Sequence, residues 1–278
     1  MINQIPDLPG LPLPLSGEAR LFAIIGDPIA QVGSPGLFNP AFRRRGAKAV
    51  LVPIHVVPED LASVLSAFRH LRNLDGIVVT VPHKIAVMEL LDEVLPSGRR
   101  IGAVNAIRKT NDGRLIGDNF DGKGCVRALA DSGRSVAGKS ILIVGAGGAG
   151  RAVAHAIADE RPARMRLFDV DAERLSQLVA SVRDAHPDLV VEPGPAEPEG
   201  SEVVVNCTPL GMKPSDPFPV DPARINPTAL VVDVILKPET SPLIEAATRR
   251  GCAVQRGIRM LEGQVDAICD FFAIGSPS

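Results

Sequence analysis

The stretch Ile141-Leu-Ile-Val-Gly145-Ala-Gly147-Gly148-Ala149-Gly150 decides how this chain is read. Four apolar residues suit a strand buried on both faces. The glycines then take the spacing G-x-G-x-x-G, and an amphipathic run to residue 158 follows as a helix. Between strand and helix each glycine has a use. Gly145 permits the tight turn, Gly147 lets backbone N–H groups approach a pyrophosphate, and Gly150 lets helix and strand pack closely. Gly148 and Ala149 open the helix, whose N-terminus faces the anion. Such a cluster alone also fits a structural turn in another α/β protein. Here Asp169 ends the next apolar run, about 20 residues on, where a dinucleotide site puts the carboxylate for the adenosine ribose. A plain helix-start acid ahead of Asp171 is the alternative for Asp169. A carboxylate there repels a 2′-phosphate, so the expected cofactor is NAD rather than NADP.

Outward from this point, apolar runs alternate with amphipathic ones. Strands are expected at 165–168, 203–205, 230–234 and 253–255, and helices at 171–184, 242–250 and 260–273, with a loop at 193–200. Upstream, strands are expected at 21–25, 49–54, 74–79, 103–108 and 114–117, the last two around the turn Asn111-Asp112-Gly113. Helices are expected at 35–45, 58–71, 84–91 and 123–132. Residues 1–19 are Pro-rich and read as an extended arm. Strand–helix alternation of this kind predicts parallel sheets.

Composition narrows the chemistry. The 278 residues suit about two domains, and 45% hydrophobic with 22% charged residues suits a packed core. Thirty basic and 32 acidic side chains give a net charge of −2, with no pull toward nucleic acid or an anionic membrane. The aromatic residues are all Phe, nine of them, so stacking platforms for single-stranded nucleic acid are not expected. With no Tyr, any tyrosine proton donor is excluded. The four cysteines form no C-x-x-C and the five histidines no H-x-x-x-H. That favours reduced thiols in a cytoplasmic protein without a zinc site. The start lacks the pattern of a signal peptide, and no apolar run reaches the ~18 residues of a membrane span.

An oxidoreductase with neither Tyr nor zinc must move its proton through Lys, His or a carboxylate. The run Val78-Val-Thr80-Val-Pro-His83-Lys84 closes a buried strand, and ligands of open α/β sheets bind at that edge. The run Gly117-Asp-Asn119-Phe-Asp121-Gly122 precedes the change to the second pattern. Lys84 facing Asp121 would make an acid–base pair, although each alone is commonly a surface charge.

In these residues the chain resembles the shikimate dehydrogenase family, with its quinate and shikimate dehydrogenase-like members, from about residue 20 to 272. Six motifs carry the resemblance in order: Gly26-Asp-Pro28-Ile29 with Ser34-Pro35; Gly76-x-x-Val79-Thr80-x-Pro82-x-Lys84; Gly102-Ala-Val-Asn105; Asn119-x-Asp121-Gly122; Asn206-Cys-Thr208-Pro-Leu-Gly211-Met212; and Gly257-x-x-Met260-Leu261-x-x-Gln264. The resemblance implies that Lys84 is the acid/base group and Asp121 its partner. It implies that Thr80, Asn105, Asp121 and Gln264 bind the hydroxyls of a cyclic polyol and that Ser34 reaches its carboxylate end. Thr208, Gly211 and Met212 would lie on the nicotinamide side. Several convergent donors and acceptors are what a polyol needs.

Four positions depart from the family pattern. Val32 stands for the first serine of its S-x-S, Val78 for the asparagine of N-V-T, Phe120 for the threonine of N-T-D, and Leu236 for the tyrosine of V-Y-x-P. In the family that serine and tyrosine hold the substrate carboxylate, with the counterpart of Ser34 as the third member. An unpaired buried carboxylate costs several kcal/mol. Either the substrate is less polar at that end, or Lys237 or another cation takes the charge. The family's N-R-T after the second Rossmann strand is replaced by Asp169-Val170-Asp171.

The expected architecture is a two-domain α/β protein. An open α/β substrate domain takes residues 1–121 plus 258–278, the last helix returning to it, and a Rossmann domain takes 122–257. The expected activity is NAD-dependent oxidation of a secondary alcohol on a cyclic polyol related to shikimate or quinate, the family's setting being aromatic amino acid biosynthesis. The alternatives are a genuine shikimate or quinate dehydrogenase and a non-catalytic paralogue that binds NAD and a ligand. Keeping both Lys84 and Asp121 argues against the last. Oligomeric state is left open, a homodimer being one form the sequence allows.

Overall fold

The computed structural model describes residues 16–275, so most of the expected N-terminal arm lies outside the described residues. Its last residues are not extended: Ala19 N–H donates to the Ser16 carbonyl (3.0 Å) in a turn. The chain forms two compact units. The first takes described residues 16–99, Ala103–Phe120 and 265–275, and the second takes Arg100–Gly102 and Asp121–Gln264. The last helix, α8 (Gly257–Phe271), thus passes from one unit to the other between Gln264 and Val265, inside the helix rather than at its start.

The first unit holds a six-stranded sheet in the order β2-β1-β3-β5-β6-β4. Its strands are β1 (Arg20–Gly26), β2 (Ala49–His55), β3 (Leu74–Val79), β4 (Glu93–Val94), β5 (Ala106–Lys109) and β6 (Leu115–Asp118). Strands β1, β2 and β3 are parallel, as expected, but β5 runs antiparallel to both β3 and β6. The reason is local. The turn at Asn111-Asp112-Gly113 makes β5 and β6 a hairpin, and Gly113 supplies the positive φ (88°) that the turn needs. Helices α1 (Ser34–Arg44), α2 (Leu61–His70) and α3 (Pro96–Ile101) belong to this part of the chain. The helix expected at 84–91 is a 3₁₀ segment, Ala86–Leu90. One sheet face packs on α2 through Leu61, Leu65 and Phe68. Phe22 stacks with Phe42 and Phe272, each at 5.0 Å between centroids.

In the second unit the sheet is wholly parallel, in the order β12-β11-β10-β7-β8-β9. The strands are β7 (Ser140–Val144), β8 (Arg164–Phe168), β9 (Val190–Pro193), β10 (Val203–Asn206), β11 (Leu230–Asp233) and β12 (Ala253–Gln255). Helices α4 (Asp121–Asp131), α5 (Gly148–Asp159), α6 (Ala172–Ala185) and α7 (Pro242–Arg249) connect them. Ile141 and Ile143 pack in one core with Val153, Ile157 and Leu178, whereas Leu142 and Val144 pack in another with Leu243 and Ile244. Alternate residues of β7 therefore meet helices on opposite faces, which is why its sequence is apolar without alternation. Counted from β7, the strand order is that of the dinucleotide-binding Rossmann sheet, and it reverses between β7 and β10. The sequence did not predict β4, α3 or β9. The first is two residues long, and β9 is an edge strand that buries only Val191. Among the described residues no helix is long and apolar enough to cross a membrane.

Candidate active site

The second unit presents its glycine loop at the reversal of strand order. Gly145 has φ 107°, and a Cβ there would lie 2.8 Å from the Cys207 carbonyl carbon. A Cβ on Gly150 would lie 1.9 Å from the Gly145 carbonyl oxygen, so only glycine allows α5 to start this close to β7. A Cβ on Gly147 would meet nothing within 4 Å. The start of α5, whose first-turn N–H groups have no acceptor within the helix, therefore borders open space at Gly147. Asp169 follows β8 and is half-buried. One of its carboxylate oxygens accepts from Ala146 N–H of the glycine loop (2.5 Å), the other from Asp171 N–H (2.8 Å). The helix-start role belongs instead to Asp171, which caps α6 by accepting from the Glu173 and Arg174 N–H groups (3.1 and 3.0 Å). Asp169 keeps lone pairs for a ribose. These residues fit a nicotinamide dinucleotide, with the pyrophosphate at the start of α5 and the adenosine ribose at Asp169.

Across the reversal point, the loop after β10 carries Thr208, Gly211 and Met212. It winds around Asn206, whose side-chain oxygen accepts from Thr208 N–H (3.0 Å) and Oγ1 (2.7 Å) while its amide donates to the Leu210 carbonyl (3.3 Å). Gly211, at φ 107°, donates its N–H to Asp216 (3.1 Å). Asn206 entered the sequence reading only as the start of its motif, and Asp216 and Asp233, which accepts from the Asn206 amide (3.2 Å), did not enter it at all. A strand-end Asn two residues before a Thr is the signal of such a wound turn.

In the first unit, the strand ends gather three of the expected residues by their backbones. Thr80 N–H donates to the Ile25 carbonyl and His83 N–H to the Thr80 carbonyl (both 3.0 Å). Lys84, 9% exposed, accepts at its carbonyl from Val104 N–H (2.7 Å). His83 is buried and its Nε2 donates to the Val56 carbonyl (2.7 Å), so the neighbour of the lysine serves the fold. Buried Asn105 accepts from Val79 N–H at its carbonyl (2.8 Å) and from Phe120 N–H at its side chain (2.9 Å). Ser34 is buried at the start of α1, in the connection that follows β1.

Asp121 opens α4 in the second unit at 2% exposure, and Gln264 is buried in α8. The two helices meet glycine to glycine. A Cβ on Gly124 would lie 2.3 Å from the Met260 carbonyl and 3.0 Å from the Gln264 Cβ, and one on Gly263 would lie 2.5 Å from the Gly124 carbonyl. Gln264 is thereby held against Gly124, which lies about one helical turn along α4 from Asp121. Burial, with the Asp121 charge added, pushes the Cys125 thiol up to about 12, so this cysteine is no nucleophile.

Residues 24–107 match the family model described as the shikimate dehydrogenase substrate binding domain. A curated relative, the shikimate dehydrogenase (NADP(+)) of Symbiobacterium thermophilum, is 37% identical over 257 residues, which cover 89% of this chain and 87% of that protein. The chain belongs to the shikimate dehydrogenase family. Among solved structures, the quinate dehydrogenase of Corynebacterium glutamicum in complex with NAD is similar at a TM-score of 0.82 and 28% identity, covering 94% of this chain and 95% of that one. The ligand-free 5-ketofructose reductase of a Gluconobacter strain is similar at 0.77 and 27%, with coverage of 94% and 95%.

At the positions where the chain departs from the family motifs, Val78 is buried between Ile24 of β1 and Ala106 of β5. Phe120 packs on Phe271 at 5.4 Å. Val32 is half-buried before α1, Leu236 is half-buried after β11, and Lys237 beside it is exposed.

Proposed function

We propose that this family member is a NAD-dependent dehydrogenase for a secondary alcohol of a polyol whose carboxylate end is absent or weakly bound. The observation that carries this reading is a contrast within one set of family positions. Thr80, Lys84, Asn105, Asp121 and Gln264 keep their polar side chains, and all but Thr80 are buried. At the carboxylate end, Val32 and Leu236 are apolar. NAD, when bound, supplies the hydride acceptor. Lys84 takes the hydroxyl proton, Asp121 is the acid–base partner that the family pattern gives it, and Thr80, Asn105 and Gln264 fix the ring by hydrogen bonds. Ser34 remains for the carboxylate end. NAD is favoured over NADP by Asp169, because a 2′-phosphate would face its carboxylate with the exposed Val170 where the family places an arginine. The similar quinate dehydrogenase is described with NAD, and 5-ketofructose, named for another similar protein, is a neutral sugar. The Symbiobacterium relative is named for NADP(+) and for shikimate.

That relative, together with Lys237 beside Leu236, favours one second reading: a shikimate or quinate dehydrogenase whose carboxylate contact is supplied by the lysine. A panel of cyclic alcohols and sugars, with and without a carboxylate, separates the two through NADH formation. Neutral polyols are expected to turn over with NAD, and shikimate poorly. Efficient shikimate oxidation at millimolar or lower KM would overturn the first reading and establish the second.

A further inference from the structure

Asp233 ends β11 at 1% exposure, deep beneath the two loops that follow β10 and β11. A buried carboxylate is costly unless its oxygens are filled by donors, and here they are. One oxygen accepts from the Asn206 amide (3.2 Å) and from Ile235 N–H (3.0 Å), the other from the Ser241 hydroxyl (2.5 Å). Burial pushes its pKa up, against the pull of the donors from Ser241, Ile235 and Asn206. Three segments therefore converge on one group: the loop around Asn206, the turn that leads to Leu236, and the start of α7, where the Ser241 hydroxyl also accepts from Ile244 N–H (3.3 Å).

The chemistry of the acceptor matters as much as its place. An ionised carboxylate can only accept, so Asn206 must turn its NH₂ toward Asp233. Its carbonyl oxygen then points the other way, where it receives both the N–H and the hydroxyl of Thr208. The Thr208 hydroxyl in turn accepts from Leu210 N–H (3.2 Å). The carboxylate thus fixes which way the amide faces, and the amide fixes the course of residues 206–210.

We infer that Asp233 is a positioning residue for the nicotinamide end of the cofactor, acting through Asn206 on the Thr208–Met212 loop and touching neither cofactor nor substrate. The inference rests on the proposed NAD site, with that loop on its nicotinamide side. It separates two ends of one ligand. The glycine loop and Asp169 take the pyrophosphate and adenosine ribose, and Asp169 is bound to Ala146 and Asp171 while Asp233 is bound to Asn206, Ile235 and Ser241. Loss of the carboxylate should therefore loosen the nicotinamide end while the adenosine end stays in place.

The test uses the full chain with two probes, NADH and ADP-ribose, the second lacking the nicotinamide. Wild type is expected to bind both, with a rise in NADH fluorescence from the enclosed nicotinamide. Asp233→Ala is expected to weaken NADH binding and its fluorescence rise about tenfold, with ADP-ribose affinity within twofold of wild type by calorimetry. Asp233→Asn keeps the volume and an oxygen for Asn206 and Ile235, so it should recover most of the loss. If the alanine variant does not fold, the asparagine variant decides alone, with an expected loss of about threefold for NADH and none for ADP-ribose. NADH binding within twofold of wild type in the folded variants would overturn the inference. So would equal losses of NADH and ADP-ribose, which mark a merely structural group. Wild-type protein that binds neither probe would instead remove the cofactor site itself, an outcome visible before any variant is made.

Discussion

The two units solve the problem of binding a small molecule with different parts of the chain. The second unit works with its backbone. Its sheet is wholly parallel, its glycines are shaped by close approach to Cys207 and Gly145, and the groups offered to a pyrophosphate are N–H donors at the start of α5. The first unit works with side chains. Its sheet turns antiparallel at the β5–β6 hairpin, and it holds every phenylalanine but Phe168 and Phe218. Of the proposed substrate groups it holds Ser34, Thr80, Lys84 and Asn105, at strand ends and connections, while Asp121 and Gln264 belong to the second unit. A backbone site tolerates changes around it, because the donors do not depend on side-chain identity. In a side-chain site each replacement changes what can bind. The glycine fingerprint is accordingly complete, while Val32, Val78 and Phe120 of the first unit, and Leu236 and Asp169 of the second, depart from the family motifs at side chains.

The largest effect should come from breaking the side-chain site. Lys84→Ala is expected to lower kcat by roughly 10²–10⁴-fold, the usual worth of a general acid–base group. Steady-state rates with the best polyol from the panel measure it, and thermal unfolding checks that the fold persists. NADH binding should stay near wild type, since the second unit lacks this residue. A variant with kcat near wild type would make Lys84 structural and would end the proposed mechanism.

The backbone site is probed through the carboxylate of Asp169, which is bound to its glycine loop. NAD is expected to exceed NADP in kcat/KM by on the order of 10²-fold, which is a few kcal/mol of charge repulsion at Asp169. Asp169→Asn should narrow this ratio. It should also weaken NAD itself, because the carboxylate accepts from Ala146 N–H and Asp171 N–H and the amide can fill only one of these places. Equal efficiency with both cofactors in wild type would contradict the assignment.

The fingerprint and its strand were legible in the sequence because backbone sites demand glycine at fixed spacing. The α/β class and most strands were legible because strands covered on both faces are continuously apolar. Less could be read where tertiary context decides. The direction of β5 follows from a hairpin that an alternation rule overlooks, and β9 follows from edge pairing that buries one residue. Among site residues, Asp169 could be told from a helix cap only when Asp171 was seen to accept from the Glu173 and Arg174 N–H groups. Asp233 offered little local signal, since apart from the Ile235 N–H two residues on, its partners Asn206 and Ser241 are 27 and 8 residues away.

The second unit also carries a pH-sensitive group in its core. His155 of α5 is wholly buried against Ser181 (Nε2 to Oγ 3.0 Å). Burial first, then the charge of Arg100, lowers its pKa from 6.5 to about 4. The unfolded chain takes up a proton near its ordinary pKa, and the folded chain refuses it until about 4. The stabilisation is therefore complete above pH 6.5 and is lost as pH falls toward 4, by on the order of 2 kcal/mol at pH 5. Urea midpoints at pH 7 and pH 5 measure it. His155→Gln, which cannot titrate, should show less of the difference, and an equal difference in the variant would move its origin elsewhere.

The smallest expected change is a gain, and it asks whether the substrate preference of the side-chain site can be turned back. Val32→Ser with Leu236→Tyr restores the two hydroxyls that, in the family, hold the substrate carboxylate beside the counterpart of Ser34. A hydrogen bond to a charged group is worth roughly 1.5–3 kcal/mol, so two would set an upper bound of about 10²–10⁴-fold in kcat/KM for shikimate. The realised gain should be nearer tenfold. Val78 stays buried and apolar between β1 and β5, and Phe120 stays packed on Phe271, so the remaining family hydrogen bonds are still missing. The gain should appear in KM, because the carboxylate is remote from the reacting carbon and is held alike in ground and transition states. Neutral polyols should lose efficiency as apolar surface gives way to hydroxyls that find no partner. Lys237→Ala separates the remaining explanation. If the exposed lysine already serves the carboxylate, its removal will lower wild-type shikimate turnover further, and the double variant will add little. If it does not, Lys237→Ala will leave both proteins unchanged, and the two restored hydroxyls will account for the whole gain.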